Sequence, residues 1–166
     1  MSYQTPINRT PKRRFVVGID PDKNESGFAV YDRQEKKWQT YKALYFDALR
    51  TACLALPKEE TEIYVEAGWE NDGMNDYQPK SWPSDFNSWP LARKLAYVFQ
   101  RGCDVGTNFG AGWAITHSLR AKGYLVHHYC PKTAKWDAHY LKLYTGITAR
   151  TNKDVRDAIR AAYLNR

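Results

Sequence analysis

The chain has 166 residues, 43% of them hydrophobic, and a formal net charge of +7. This length and composition suit one domain with its own core. No apolar run approaches the roughly 18 residues of a membrane span, and the polar, basic residues 1–14 do not suit a secretory signal. The three separated cysteines include no C-x-x-C pair, which favours reduced thiols in a cytoplasmic protein over a zinc site.

Positive charge is concentrated at the two ends of the chain. Residues 1–14 carry four basic residues and no acid, and residues 120–166 carry ten Lys and Arg against three Asp. We interpret residues 1–14 as a flexible basic arm that precedes a single domain at 15–166. The two basic segments indicate a polyanionic partner, with nucleic acid foremost, although a solvated basic surface gives the same pattern.

Alternating and apolar segments predict the strands and helices in chain order. The first half of the sequence predicts three antiparallel strands at 15–20, 27–31 and 38–41, a helix at 46–56, and a fourth strand at 62–66. The second half predicts a helix from Leu91 to Phe99, another at 105–122, and a fifth strand at 124–129. It also predicts a last helix from about Asn152, with an apolar stripe of Val155, Ala158, Ile159 and Ala162.

Two segments interrupt this pattern. Residues 67–90 hold five aromatic residues among prolines and polar residues, which predicts a long loop. Its rings form either a small core or a surface for stacking on unpaired bases. The helix at 105–122 contains Gly106, Gly110 and Gly112. Each glycine costs a helix interior roughly 0.5–1 kcal/mol, so three of them predict close approach by another backbone.

Four acids stand where ordinary folding has little use for them. Asp20 and Glu66 end two predicted strands, and Asp154 and Asp157 lie three residues apart near the start of the last helix. Carboxylates brought together in this way form a cage of hard oxygen ligands for divalent metal. Two ions held roughly 4 Å apart can activate a water and stabilise the leaving oxygen in phosphodiester cleavage.

Each of these acids also has a structural alternative. Asp20 begins a segment rich in turn-forming residues. Asp154 fits a capping box with Thr151, and Asp157 is spaced for an ion pair with Lys153. All four acids together, in this order on these elements, favour metal ligation.

These motifs resemble those of the RuvC-like Holliday-junction resolvases, including the phage and mobile-element types, within the RNase H-like nuclease superfamily. The resemblance spans roughly residues 15–164. The matching segments are Gly18-Ile19-Asp20-Pro21 for the family's opening motif, Tyr64-Val65-Glu66 for its second carboxylate, Val105–Gly110 for its glycine helix and Asp154–Ala158 for its closing Asp-x-x-Asp-Ala.

The resemblance implies an α/β, RNase H-like fold, with a five-stranded mixed sheet, the first three strands antiparallel, and helices on both faces. It implies two Mg²⁺ or Mn²⁺ ions held by the four acids, and a phosphate-contacting lysine at Lys132 or Lys135. It also implies branched DNA as substrate, with RNA less expected, no membrane, the cytoplasm of a bacterial or phage-infected cell, and a homodimer through residues 105–122. The residues expected to contact nucleic acid are Arg13, Arg14, Trp69, Trp82, Lys132, Lys135, Arg150 and Lys153.

The sequence departs from the family in three places. Asp22 stands where the family has glycine, the loop at 67–90 is longer, and residues 145–151 stand where resolvases have an extra helix. Two alternatives therefore stay open. One is an RNA-processing nuclease of the same fold, similar to the pre-16S rRNA nucleases, and the other is a nucleic-acid-binding module without turnover.

Overall fold

A computed structural model describes residues 12–70, 82–130 and 135–166 of the chain. The elements within these ranges are β1 (Phe15–Asp20), β2 (Glu25–Asp32), β3 (Lys37–Tyr45), α1 (Phe46–Leu54), β4 (Thr61–Glu66), α2 (Leu91–Ala121), β5 (Leu125–Tyr129), α3 (Ala138–Thr145) and α4 (Lys153–Asn165). Short 3-10 helices lie before β4 at Lys58–Glu60, after β4 at Gly68–Glu70 and before α2 at Phe86–Ser88. None of the described helices is both long and apolar enough to cross a lipid bilayer.

The five strands form one mixed sheet in the order β3-β2-β1-β4-β5. Strands β1, β2 and β3 pair antiparallel, whereas β4 pairs parallel with β1 and with β5. The predicted five-stranded sheet, with its first three strands antiparallel, is confirmed. Because β1, β4 and β5 are parallel, their carboxyl ends meet at one edge of the sheet.

Helices cover both faces of this sheet, as predicted. One face carries Val17, Ile19 and Val65, which join a buried cluster with residues of α1 and α2. The other face carries Ala29, which packs in a second cluster with residues of α3 and α4. Since strand residues alternate between faces, Asp20 and Glu66 lie on the α4 side at the carboxyl edge.

Two glycines allow α4 to lie in backbone contact with the sheet. A Cβ atom on Gly18 would stand 2.0 Å from the carbonyl oxygen of Ala158, and one on Gly27 would stand 2.0 Å from that of Asp154. Both distances are far shorter than van der Waals contact, so only glycine fits. The predicted apolar stripe of α4 is confirmed, and Val155 and Ile159 are among the buried residues that hold the helix there.

Helix α2 differs from the prediction of two separate helices, because it runs unbroken through Leu91–Ala121. The residues between the two predicted segments include no proline, so nothing stops the helix. Gly106, Gly110 and Gly112 admit no backbone from another described element. Apart from the neighbouring backbone of α2 itself, no described atom lies within 4 Å of a Cβ placed on Gly106 or Gly110, and Gly112 makes room for the Trp69 ring.

Helix α3 was not predicted, although its ends carry ordinary signals. The Asp137 side chain caps its start by accepting a hydrogen bond from the Tyr140 amide, and Gly146 ends it with a φ of 73°. Helix α4 is likewise capped by Asn152, whose side chain accepts from the Val155 amide. The predicted capping box at Thr151 was therefore wrong by one residue.

The basic arm lies partly outside the described residues, which begin at Lys12. Lys12 donates to the carbonyl oxygen of Arg166, and Arg13 donates to the carbonyl oxygen of Thr61. Arg14 forms an ion pair with the buried Asp32. These three basic residues thus hold the segment before β1 against the end of α4, the start of β4 and the end of β2.

The aromatic segment at 67–90 is described only at its two ends. Trp69 packs against α2, and Trp82 contacts the ring of Phe86, which also meets Tyr97 on α2. Phe86 is buried. These described rings support the small-core interpretation of the segment rather than a free aromatic surface.

We expect Gly27→Ala to destabilise the fold, because its Cβ atom would overlap the α4 backbone at Asp154. Overpacking of this kind costs about 1–3 kcal/mol or more. Thr51→Ala, at an exposed position inside α1, is the control and should change the free energy of unfolding by no more than about 0.5 kcal/mol. Urea unfolding followed by circular dichroism measures both, and equal stability of the Gly27→Ala and wild-type proteins would contradict the packing described above.

Candidate metal centre

Three of the four predicted acids meet at the carboxyl edge of the sheet. Asp20 ends β1, Glu66 ends β4, and Asp157 projects from α4. One carboxylate oxygen of each lies within 4.8 Å of the others. Asp157 is only 1% exposed. Ionised acids at this spacing repel one another, which lowers the stability of the folded protein.

Local packing explains why these side chains converge. The parallel register places Ile19 beside Val65, so the next residues, Asp20 and Glu66, are neighbours on the same face. The glycine contacts of α4 then bring Asp157 down onto this pair. The positions of Asp20 and Glu66 therefore follow from strand alternation, and that of Asp157 follows from the close packing of α4 on the sheet.

The electrostatics of the centre disfavour three ionised carboxylates. Burial, together with the negative charge of Glu66, raises the pKa of Asp20 well above its ordinary value. Burial also raises the pKa of Glu66, and the charge of Asp157 adds to that effect. A bound cation would reverse this balance, because it favours the charged form of each ligand.

Lys135 supplies a positive charge to the cluster. Its Nζ donates to Asp157 Oδ2 at 2.6 Å and to Glu66 Oε1 at 3.4 Å. Burial opposes the charged ammonium, but the charge of Glu66 and the hydrogen bond to Asp157 prevail and raise the pKa of Lys135. The other candidate lysine, Lys132, lies outside the described residues.

Arg160 is a further charged group of the centre, and sequence reasoning missed it. It lies one turn after Asp157 on α4 and is 1% exposed. Its positive charge opposes the rise in the pKa of Glu66. The available signal was its spacing of three residues from Asp157, within a run of alanine and isoleucine.

Asp154 lies apart from the other three acids. It is not among the residues whose oxygens lie within 4.8 Å of one another. Burial raises its pKa, and the charge of Asp22 adds to the rise. Its backbone carbonyl faces Gly27. As a metal ligand, Asp154 therefore remains a prediction. The alternative pairing of Asp157 with Lys153 is replaced by the contact with Lys135.

The donor atoms of the triad fit a hard divalent cation. Glu66 Oε2 and Asp157 Oδ1 are buried and accept no hydrogen bond from the described part of the chain. Leaving such oxygens without partners is costly in a folded protein. Mg²⁺ and Mn²⁺ prefer carboxylate oxygens of this kind.

The residues predicted to contact nucleic acid are spread over the molecule. Arg13 and Arg14 precede β1, so the six residues of that strand place them roughly 20 Å from the acids. Trp69 follows Glu66 closely in the chain but packs against Phe109 and Trp113. Trp82 lies in the aromatic group on α2 described above. The exposed candidates near α4 are Lys135, Arg150 and Lys153.

Comparison with known structures supports the fold. The structure of Thermus thermophilus RuvC in complex with a Holliday junction substrate matches with a TM-score of 0.51 and 16% sequence identity, over 91% of this chain and 91% of that chain. A second structure of T. thermophilus RuvC gives a TM-score of 0.47 at 17% identity, over 90% of this chain and 91% of that chain. No family model and no curated protein sequence matches significantly. The chain has a RuvC-like fold, which confirms the resemblance at the level of the fold.

Without metal, the stability difference between Asp20→Asn and the wild type should depend on pH. The raised pKa of Asp20 means that the folded state holds its proton more tightly than the unfolded state. The stabilisation is present below the ordinary carboxyl pKa of about 4 and is lost as pH rises through the folded value. In EDTA, the Asp20→Asn protein should therefore gain in melting temperature relative to wild type as pH rises from 4 to 8.

Thermal unfolding at several pH values measures this difference, with each kcal/mol corresponding to about 2–4 °C for a domain of this size. Addition of Mg²⁺ should raise the wild-type melting temperature more than that of Asp20→Asn. A difference that stays constant from pH 4 to 8 would contradict the electrostatic account of the centre.

Proposed function

We propose that this chain is a divalent-metal-dependent endonuclease that cleaves phosphodiester bonds in branched DNA, with Holliday-junction resolution as its reaction. The observation that carries the proposal is the cluster of Asp20, Glu66 and Asp157 at the carboxyl edge of a RuvC-like fold, with the Lys135 ammonium against it. A structural role for three mutually repelling acids, of which Asp157 is buried and Glu66 half-buried, is hard to justify. A cation and a phosphodiester substrate account for both the acids and the lysine.

The triad, joined by Asp154, would hold two Mg²⁺ or Mn²⁺ ions. When bound, such ions activate a water and stabilise the departing oxygen. Asp154 precedes Asp157 by three residues on α4, and residues at that spacing are neighbours on one side of a helix.

Lys135 has a separate task in this proposal. Its ammonium binds Asp157 and Glu66 in the absence of metal, and cations would replace it there. The partly exposed side chain would then be available to contact the phosphate and to stabilise the charge that develops on it. Lys132 is an alternative for this task. Arg160 cannot leave its buried position, so it supplies a permanent positive charge behind Glu66.

Branched DNA is the proposed substrate for two reasons. The matching T. thermophilus protein was solved with a Holliday junction substrate. In addition, Arg150 and Lys153 place exposed positive charge close to α4 and its acids. Trp69, Trp82, Arg13 and Arg14 remain proposed contacts. An RNA-processing nuclease and a silent binding module are the competing functions. The reduced cysteines suit a cytoplasmic site of action.

A homodimer through residues 105–122 is part of the proposal. Resolution of a junction needs two symmetric cuts, and a two-fold axis would relate the two active sites. Gly106 and Gly110 leave open space on α2, which would let a second backbone approach. The same helix exposes Leu95 and Phe99, and Phe99 is 73% exposed. Apolar side chains of that size favour a partner surface.

Cleavage should require the triad and a divalent ion. We expect Asp157→Asn to lose at least about 100-fold in cleavage rate with Mg²⁺ or Mn²⁺. The change removes a proposed metal ligand itself, which costs more than the loss of a residue that only hydrogen-bonds to a ligand. Asp47→Asn, which changes an exposed acid of α1, is the matched control and should keep full activity. The substrates to test are a four-way junction, a flap, a duplex, a single strand and an RNA–DNA hybrid.

The outcomes separate the competing functions. Paired cuts in the junction support the proposal, and preferred cleavage of RNA supports the RNA-processing alternative. Binding without cleavage of any substrate supports the silent module. Cleavage that persists in EDTA, or full activity of Asp157→Asn, would refute the metal-dependent nuclease.

The dimer has its own test. Light scattering at micromolar concentration should give twice the mass of 19.3 kDa for the wild type. Gly110→Leu should give the monomer and convert paired cuts into single nicks, because the leucine fills the space between the two helices. Gly110→Ala, a smaller change at the same position, should weaken the dimer less. A wild type that stays monomeric on junction DNA would rule out the symmetric mechanism.

A further inference from the structure

A ladder of aromatic rings follows α3 and packs against α4. Its members are Trp136, Tyr140, Tyr144 and Tyr163. The Trp136 and Tyr144 rings are stacked with centroids 5.0 Å apart, and the Tyr140 and Tyr144 rings lie within 13° of parallel at 6.2 Å. Tyr163 meets the edge of Trp136. Tyr140 and Tyr144 are four residues apart on α3, so one face of that helix presents both rings.

The outer part of this ladder contributes little to the core. Trp136 is half-buried against the cluster that holds α4 on the sheet. Tyr140 and Tyr144 belong to neither buried cluster and are 47% and 46% exposed. The inner ring therefore fixes α3 in place, while the two tyrosines present ring surface to solvent. Ring surface of that extent suits a binding partner.

The ladder begins beside the metal centre. Trp136 directly follows Lys135, whose Nζ contacts Asp157. The carbonyl oxygen of Trp136 accepts a hydrogen bond from Arg156 Nε at 3.2 Å, which ties this segment to the α4 turn that carries Asp157. Tyr163, which meets the Tyr144 ring, lies six residues after Asp157 on α4, roughly 9 Å along the helix. A strand that passes the acids would therefore reach the aromatic face within about two nucleotides.

The surroundings of the ladder are basic. Residues 135–166 contain seven Lys and Arg against three Asp. Lys135, Arg160, Asp154 and Asp157 belong to the centre, and Asp137 is engaged as the cap of α3. The Arg166 guanidinium lies 3.7 Å from the centroid of the Tyr163 ring, and Arg150, which follows α3, is exposed. A surface that combines parallel rings with positive charge fits a nucleic-acid strand, because bases stack on the rings while cations meet the phosphates.

We propose that Tyr140 and Tyr144 form a stacking site for unpaired bases of the strand that enters or leaves the metal centre. This inference rests on the proposed nuclease function, and it adds a specific binding surface for single-stranded DNA next to the site of cleavage. An apolar protein segment is the other possible occupant of exposed rings. The basic flank and the neighbouring acid centre favour nucleic acid.

The test compares substitutions that differ only in the aromatic face. The double variant Tyr140→Leu, Tyr144→Leu removes both π-faces but keeps residues with good helix propensity. The double variant Tyr140→Phe, Tyr144→Phe keeps the π-faces and removes the hydroxyl groups. The probe is a partly duplex DNA whose single-stranded end carries 2-aminopurine, a base whose fluorescence is quenched by stacking. Binding is measured in EDTA, where metal-dependent cleavage cannot occur.

The leucine variant should lose affinity for the single-stranded end on the order of tenfold for each ring, together with most of the quenching. Its affinity for fully paired DNA should be unchanged. The phenylalanine variant should match wild type. Melting temperatures and circular dichroism check that all three proteins are folded to the same extent.

Wild-type affinity and quenching in the leucine variant would overturn the inference, and so would an equal loss on paired and unpaired DNA. A changed mass in light scattering without any effect on DNA would assign the rings to a protein contact instead. The nuclease proposal fails separately. If no substrate is cut with Mg²⁺ or Mn²⁺ while the stacking results hold, the binding site stands without the reaction.

Discussion

The backbone contact between α4 and the sheet is the constraint on which the rest of the site depends. At Gly18 and Gly27 the backbone of the helix touches the backbone of the strands, with no room for a side chain between them. That contact leaves α4 almost no freedom to slide or rotate. Asp157 is therefore delivered to the ends of β1 and β4, into a region where water is largely excluded. The proximity of the acids is a consequence of backbone packing rather than of attraction between them.

The acidic centre consequently lowers the stability of the folded protein when its carboxylates are ionised. Asp20, Glu66 and Asp157 raise one another's free energy when ionised, and Lys135 and Arg160 offset only part of it. The two cations act differently. Arg160 is buried and cannot give up its place to another cation. Lys135 contacts the acids from an exposed segment of the chain. One positive charge is thus a permanent part of the fold, and the other is replaceable.

Sequence reasoning was most successful where the deciding interactions are local. The strands that end at Asp20 and Glu66 follow from the pattern of apolar residues, and the antiparallel pairing of the first three strands was also predicted. It was less successful where burial depends on two layers at once. Nearly every residue of α4 from Asp157 to Ala162 is buried, because the sheet covers one side and α3 helps to cover the other. A one-sided apolar stripe therefore could not identify Arg160 as an interior group. The separation of Asp154 from the triad likewise depends on a tertiary contact, because the backbone of α4 meets the sheet at Asp154 and Gly27.

Helix α2 has a consequence for the distribution of stability along the chain. Its 31 residues extend for roughly 46 Å, yet its buried residues, Gly112, Ile115, Thr116 and Leu119, all lie in the last third. The earlier turns are supported by the aromatic group at Phe86 and by the ion pair between Lys23 and Asp104. Opening of those turns leaves the sheet core intact, so amide hydrogen exchange should be graded along this one helix. The protein thus carries well-protected and weakly protected helical turns on a single continuous element.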